Sequence, residues 1–174
     1  MTNALAPAAT LPLVDAGFDV RGRLRVLVHD FKDLPEVTHR TRRARRSERA
    51  AIIATDRAAF DDFWQFDADG LREAARATPS SHLRVTRPPG PIGYALFGRA
   101  STDGYVQRLA VHPDAQGRGY GGSLLIDGLQ WLRRHGATRA YVNTQSDNER
   151  AYGLYEGSGF RPLPVGLCIL GRTL

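Results

Sequence analysis

The stretch Gln116-Gly117-Arg118-Gly119-Tyr120-Gly121 joins an apolar, strand-like run, Tyr105 to Val111, to an amphipathic helical run. A glycine-dense turn that opens a helix aims several backbone N–H groups at one point, where the helix dipole also favours negative charge. The stretch reads as a cradle for a pyrophosphate. Two common phosphate turns fit it poorly. A P-loop needs Gly-Lys followed by Ser or Thr, and neither element is present. The string Gly117 to Gly122 has the bare G-x-G-x-x-G spacing, but a dinucleotide site also wants an acid at the end of the next strand to hold a ribose. That strand ends Val142-Asn143-Thr144, and few residues follow it. A turn with no ligand would not need so many glycines.

Working outward, Leu125, Leu129 and Leu132 lie on one face of the helix after the turn, with Leu124 and Trp131 alongside. Arg133, Arg134 and His135 crowd its last turn and Gly136 stops it. Ala140 to Thr144 reads as the next strand, so it and Tyr105 to Val111 are expected to form a right-handed parallel β-α-β unit. A second helix over Asn148 to Gly157, ended by Gly159, and a short strand over Gly166 to Leu170 complete the C-terminal part. Upstream, Ser81 to Thr86 and Ile92 to Gly98 read as a hairpin turned by Arg87-Pro88-Pro89-Gly90-Pro91. A second turn at Ser101 to Gly104 makes three successive antiparallel strands. Apolar positions from Ala50 to Ala77 recur at helical spacing and predict two helices broken near Asp67 to Gly70. The alternation Leu24, Val26, Val28 predicts a half-buried strand within Phe18 to Phe31. The expected class is α/β, a mixed central sheet flanked by helices.

The chain has 174 residues, 42% hydrophobic and 24% charged. Those are the values of one globular domain with a core of its own. Cys168 is the sole cysteine, which excludes an intrachain disulfide and a thiolate zinc site, so no metal is expected and the reducing cytoplasm is the expected compartment. Met1 to Val14 has no basic residue ahead of its apolar ones and does not read as a signal peptide. No run has the length of a membrane span. The net charge of +6 comes almost wholly from arginine, Lys32 being the sole lysine. The run Arg40, Arg42, Arg43, Arg45, Arg46, Arg49 could bind phosphates or an acidic partner. The blander reading, a solvated face, is favoured because no aromatics interleave with it.

Two motifs together resemble the GCN5-related N-acetyltransferase superfamily. Its phosphate motif, Q/R-x-x-G-x-G/A after a strand ending in an apolar triplet, is matched by Leu109-Ala110-Val111-His112-Pro113 followed by Gln116, Gly119 and Gly121. Its second signature, Asn-x-x-Ala-x-x-Leu-Tyr-x-x-x-Gly-Phe, is matched by Asn148, Ala151, Leu154, Tyr155, Gly159 and Phe160. The second motif is most similar to that of the protein N-terminal acetyltransferases acting on ribosomal proteins. The resemblance covers roughly Ala50 to Phe160 and separates an N-terminal extension, residues 1–48, from an acetyltransferase domain, 49–174. It implies acetyl-coenzyme A as donor, held by Leu109, Ala110, Val111, by Gln116, Gly117, Arg118, Gly119, Tyr120, Gly121 and Gly122, and by Asn148 and Tyr155. Leu109 and Val111 would offer backbone groups to the pantetheine, and the Val111 N–H would polarise the thioester carbonyl. Tyr155 would be the catalytic acid that protonates the leaving thiolate. Asn148 would contact the cofactor or simply cap its helix.

By the same resemblance, a primary amine attacks the thioester directly in a ternary complex, and the amine belongs to a small molecule or a peptide N-terminus. Relatives often carry a glutamate ahead of the triplet, whereas here Tyr105-Val106-Gln107-Arg108 has no carboxylate. Asp103 and His112 flank that strand, and the general base stays unassigned. The loop after the first of the two predicted helices would bring Phe63, Trp64, Phe66 and Asp67 to the acceptor, unless Phe63 and Trp64 are helix core. Two other functions stand beside the enzyme: a nucleic-acid or acidic-partner module built on the arginine run, and an inactive coenzyme A sensor. Nucleic acid and membrane are disfavoured as partners, and a homodimer is compatible with the sequence.

Overall fold

Ile92 to Gly98 contains no charged residue, the mark of a strand covered on both faces. The computed structural model, which describes residues 4–86 and 91–172, shows this strand as β4 (Gly93–Ala100), buried at every position from Gly93 to Gly98. The chain divides into two compact units, Asp30–Ala140 and a second made of Met1–His29 with Tyr141–Leu174.

In the first unit, β2 (Thr41–Arg43), β3 (Ser80–Thr86), β4 and β5 (Asp103–Val111) form an antiparallel array in that order. The three successive antiparallel strands expected from the sequence are therefore present; Arg87 to Gly90 of the first turn lie outside the described residues. The alternating side chains of β4 meet different layers. Tyr94 and Leu96 pack with Ile52, Leu71, Val85 and Ala110 beneath α2 (Arg49–Ala59) and α3 (Ala68–Arg76). Phe97 meets α4 (Tyr120–Arg134), where a Cβ on Gly128 would fall 1.9 Å from the Phe97 ring. Only glycine permits that approach. Leu125, Leu129 and Leu132, expected on one face of this helix, are fully buried.

The helical break is displaced from its expected place. Between α2 and α3 the chain is non-helical from Phe60 to Asp67, and Asp67 to Gly70 start α3 rather than interrupt it. The reason is local: the Asp67 carboxylate accepts from the N–H groups of Asp69 at 3.0 Å and Gly70 at 2.7 Å, an N-cap. Phe63 and Trp64 thus belong to the loop and are not helix core.

In the second unit, β1 (Asp19–His29) is central. It lies beside β6 (Arg139–Gln145) and pairs antiparallel with β7 (Arg161–Pro162) and β8 (Leu167–Gly171). The strand read from the alternation Leu24, Val26, Val28 therefore completes a sheet with the short C-terminal strands. Helix α5 (Glu149–Gly157) carries the second motif, and a short helix, α1 (Leu11–Asp15), precedes β1. Leu5 and Cys168 exchange backbone hydrogen bonds of 2.8 Å. Among the described residues no helix is long and apolar enough to cross a membrane, and no cluster of metal-ligating side chains occurs.

Candidate active site

The end of β5 and the glycine turn are brought together within the first unit. The His112 N–H donates to the Ile92 carbonyl at 2.8 Å, which fixes the phase of the β4–β5 ladder. In an antiparallel pair hydrogen-bonded positions alternate, and the register pairs Tyr94 with Ala110 and Gly93 with Val111. Ala110 therefore turns its backbone groups toward β4, whereas Leu109 and Val111 turn theirs to the opposite edge of β5. That is the orientation a strand-like ligand would require. The Gln116 side chain donates to the Val111 carbonyl at 2.8 Å and ties the strand end to the turn.

Gly117 and Gly119 have φ of +78° and +83°, the left-handed region that suits glycine. Gly119 is the N-cap of α4, so Tyr120, Gly121 and Gly122 already form the first helical turn. The first bond of the helix runs from the Ser123 N–H to the Gly119 carbonyl at 3.1 Å. Hence the N–H groups of Tyr120, Gly121 and Gly122 have no acceptor within the helix. No acidic residue stands in that turn. The donor set and the missing side chains fit a pyrophosphate.

A segment that sequence reasoning missed crosses this turn. The His39 Nε2 lies 2.7 Å from the Arg118 carbonyl, and its ring packs on Tyr120 with centroids 4.3 Å apart. The His39 N–H donates to the Ser123 hydroxyl at 3.0 Å, and Thr38 Oγ1 lies 3.0 Å from the same oxygen. A Cβ on Gly119 would stand 3.3 Å from His39 Nε2.

The strand position ahead of the triplet, Arg108, carries a charge whose role sequence reasoning also missed. Arg108 donates to both oxygens of Asp56, at 2.7 and 2.8 Å, and to the Trp64 carbonyl at 2.6 Å. Its guanidinium lies between the rings of Phe60 and Phe66, 3.5 and 4.1 Å from their centroids. Asp56, wholly buried, also accepts from the Tyr94 hydroxyl at 2.5 Å and the Phe66 N–H at 2.6 Å. Burial and the Asp56 charge hold the Tyr94 hydroxyl pKa far above its usual value, so it stays a donor. Asp56 is saturated with donors and is no general base. One signal was present: Asp56 follows Ile52 by four residues, so it shares the buried helical face, where a carboxylate must be paired. The network pins the loop bearing Trp64 and Phe66, and Phe63 stands 44% exposed on it.

Of the flanking candidates for a base, His112 caps a short 3-10 turn, its Nδ1 accepting from the Asp114 N–H at 3.4 Å, and Asp103 opens β5. In the arginine run, Arg42 is bound through both guanidinium N–H₂ groups to Glu48, whose carboxylate also accepts from the Arg45 N–H at 2.8 Å. The Arg42 bond, then the Arg45 N–H, holds the Glu48 pKa down at about 2. Arg40, Arg43, Arg45, Arg46 and Arg49 are exposed.

In the second unit Asn148 is the N-cap of α5, accepting from the Ala151 N–H at 2.9 Å. Tyr155 is buried, its ring 5.6 Å from that of Phe160 in an edge contact. His29, also buried, makes an edge contact with Phe160, and its Nε2–H donates to the Ser158 carbonyl at 3.0 Å.

The model of the Acetyltransferase (GNAT) family matches residues 46–160, and the chain belongs to that family. Its fold is the α/β fold of these enzymes, with a mixed sheet flanked by helices, as expected from the sequence. Members of the family use acetyl-coenzyme A. Among curated relatives, the mycothiol acetyltransferase of Geodermatophilus obscurus is 41% identical over 80 residues, covering 46% of this chain and 24% of the relative. That of Saccharomonospora viridis is 32% identical over 132 residues, covering 63% and 41%. The chain thus spans less than half the length of either relative. Among solved structures, a GCN5-related N-acetyltransferase from Kribbella flavida superposes with a TM-score of 0.70 at 20% identity over 98% of this chain and 67% of the other. The ribosomal-protein-S18-alanine N-acetyltransferase of Escherichia coli gives 0.63 at 14% over 79% and 96%.

Proposed function

We propose that this chain is an N-acetyltransferase that moves an acetyl group from acetyl-coenzyme A to a primary amine by direct attack in a ternary complex. The observation that carries the reading is the joined geometry of β5 and the α4 turn. Leu109 and Val111 turn their backbone groups away from β4, and the next segment is a glycine turn with three helix-start donors.

When bound, the donor supplies a thioester carbonyl open to an amine. Tyr120, Gly121 and Gly122 would hold the pyrophosphate through their N–H groups, with Gly117, Arg118 and Gly119 shaping the turn. Leu109 and Val111 would pair with the pantetheine, Ala110 setting the strand against β4. The Val111 N–H would donate to the carbonyl oxygen as charge develops there, a contribution of about 3 kcal/mol for donors of this type. The Tyr155 hydroxyl would give its proton to the leaving sulfur, worth about a hundredfold or more for general acids broadly. Asn148 acts through its cap, which sets the start of the helix carrying Tyr155. The amine would meet the loop from Phe60 to Asp67, where Phe63 and Trp64 offer an apolar surface.

The acceptor panel follows from the relatives: the desacetyl form of mycothiol, peptides beginning with alanine, and simple primary amines. The test is thiol release from acetyl-coenzyme A against that panel, with calorimetric titration of coenzyme A in parallel. Saturable binding and turnover with at least one acceptor are expected. Absence of both would sink the reading. Tight binding without turnover would favour the inactive sensor, which the lack of a carboxylate in Tyr105-Val106-Gln107-Arg108, ahead of the triplet, supports.

A further inference from the structure

We infer that His39, which lies outside the matched family region and both motifs, is a positioning residue of the pyrophosphate turn. The inference rests on the acetyl-coenzyme A reading above. A carbonyl oxygen can only accept, so the His39 Nε2 that meets Arg118 O at 2.7 Å carries the proton. In a trans peptide the carbonyl of one residue and the N–H of the next point in opposite directions. Anchoring the Arg118 carbonyl on His39 therefore turns the Gly119 N–H away from the imidazole. The neighbouring peptide is fixed in the same way. The Gly119 carbonyl accepts from both the Ser123 N–H and the Ser123 hydroxyl, each at 3.1 Å. That hydroxyl, its one proton spent, accepts from the His39 N–H and from the Thr38 hydroxyl at 3.0 Å each.

Two consecutive peptide planes, in a stretch where Gly117 and Gly119 impose little conformational preference of their own, are thus held, the first directly by His39 and the second through Ser123, whose hydroxyl the two-residue strap orients. Without it the Arg118–Gly119 peptide can rotate, placing a carbonyl where a phosphate oxygen needs a donor. The strap sets the direction of the donors and touches no reacting atom. Because a peptide rotation changes only how the pyrophosphate is held, the effect must discriminate between donors with and without that group.

The test uses the full chain and His39→Phe, which keeps a ring on Tyr120 but removes the N–H donor, with His39→Gln to restore a donor. Titration calorimetry with coenzyme A is expected to show affinity about tenfold weaker in H39F, the scale of one hydrogen bond, and largely recovered in H39Q. The ratio of kcat/KM for acetyl-coenzyme A to that for S-acetylpantetheine, which lacks the pyrophosphate, is expected to shift about tenfold toward the truncated donor. Amide exchange at Gly119 should accelerate in H39F. Equal losses with both donors, or coenzyme A affinity in H39F within about twofold of the parent, well below one hydrogen bond, would overturn the inference. Failure of the parent chain itself to bind coenzyme A would instead overturn the reading beneath it. Should H39F not fold, Ser123→Ala repeats the comparison from the Gly119 carbonyl with the same expected shift in ratio.

Discussion

Two segments of the first unit, Gln116 to Gly122 and Phe60 to Asp67, both lead into a helix and both belong to the proposed site, yet they are built by different means. The glycine turn is made of backbone: left-handed φ at two glycines and helix-start N–H groups. The second loop is held by side chains from elsewhere, with Arg108 of β5 bonded to the Trp64 carbonyl and Asp56 of α2 to the Phe66 N–H. A site made of backbone leaves a local signature in sequence, because only certain residues tolerate its geometry. A site held by a buried ion pair leaves two ordinary letters 52 positions apart.

The contrast can be broken most forcefully at the ion pair. Asp56→Ala leaves Arg108, only 10% exposed, without its partner, and an unpaired buried charge costs about 3–5 kcal/mol. Urea unfolding should report that loss, and a double variant Asp56→Leu, Arg108→Met should be less damaged than the single one; a loss below about 1 kcal/mol, the value of an exposed pair, would refute a side-chain-built loop. At the backbone-built turn, Gly119→Val forces a branched residue into the left-handed region beside His39 at 3.3 Å. The expected cost is about 1–2 kcal/mol of stability, smaller than at Asp56, accompanied by loss of coenzyme A binding in a calorimetric titration. Retained binding would show that the turn does not grip the donor. Asp67→Ala, which removes the α3 cap alone, should lower urea-derived stability by about 1 kcal/mol and leave coenzyme A affinity as it was.

The smallest effect is a pH dependence outside both segments. His82 stacks on Trp131 with ring centroids 4.6 Å apart, and its pKa is held down at about 4, first by burial and then by Arg84. Between pH 6.5 and 4 the unfolded chain binds more protons at this site than the folded one, so stability falls as pH drops through that window. The depressed Glu48 pKa extends the same trend from pH 4.5 toward 2. Thermal melts should show the first decline, and His82→Phe should flatten it; an unchanged slope in that variant would assign the decline elsewhere.

Legibility followed the same division. The strands β3, β4 and β5, helix α4 and the Asn148 cap were readable because period, glycine placement and capping residues act within a few positions. The strand over Phe18 to Phe31 was readable from Leu24, Val26 and Val28, and its central place in the second unit required the pairing with β7 and β8. The break between α2 and α3 was misplaced because Asp67 and Gly70 suit a helix start as well as a helix break. Thr38 and His39 carry no motif, since what they do depends on where Arg118 and Ser123 come to lie.

By itself, the sequence determined the family, the strand–turn–helix that carries the glycines, and the motif bearing Tyr155, all of them consequences of backbone preference acting over short range. Only the tertiary structure decided which way Leu109 and Val111 face, what closes over the turn, and that Arg108 belongs to Asp56. Those depend on ladder phase, and on burial that leaves a charge or a carbonyl no partner but the one packed against it.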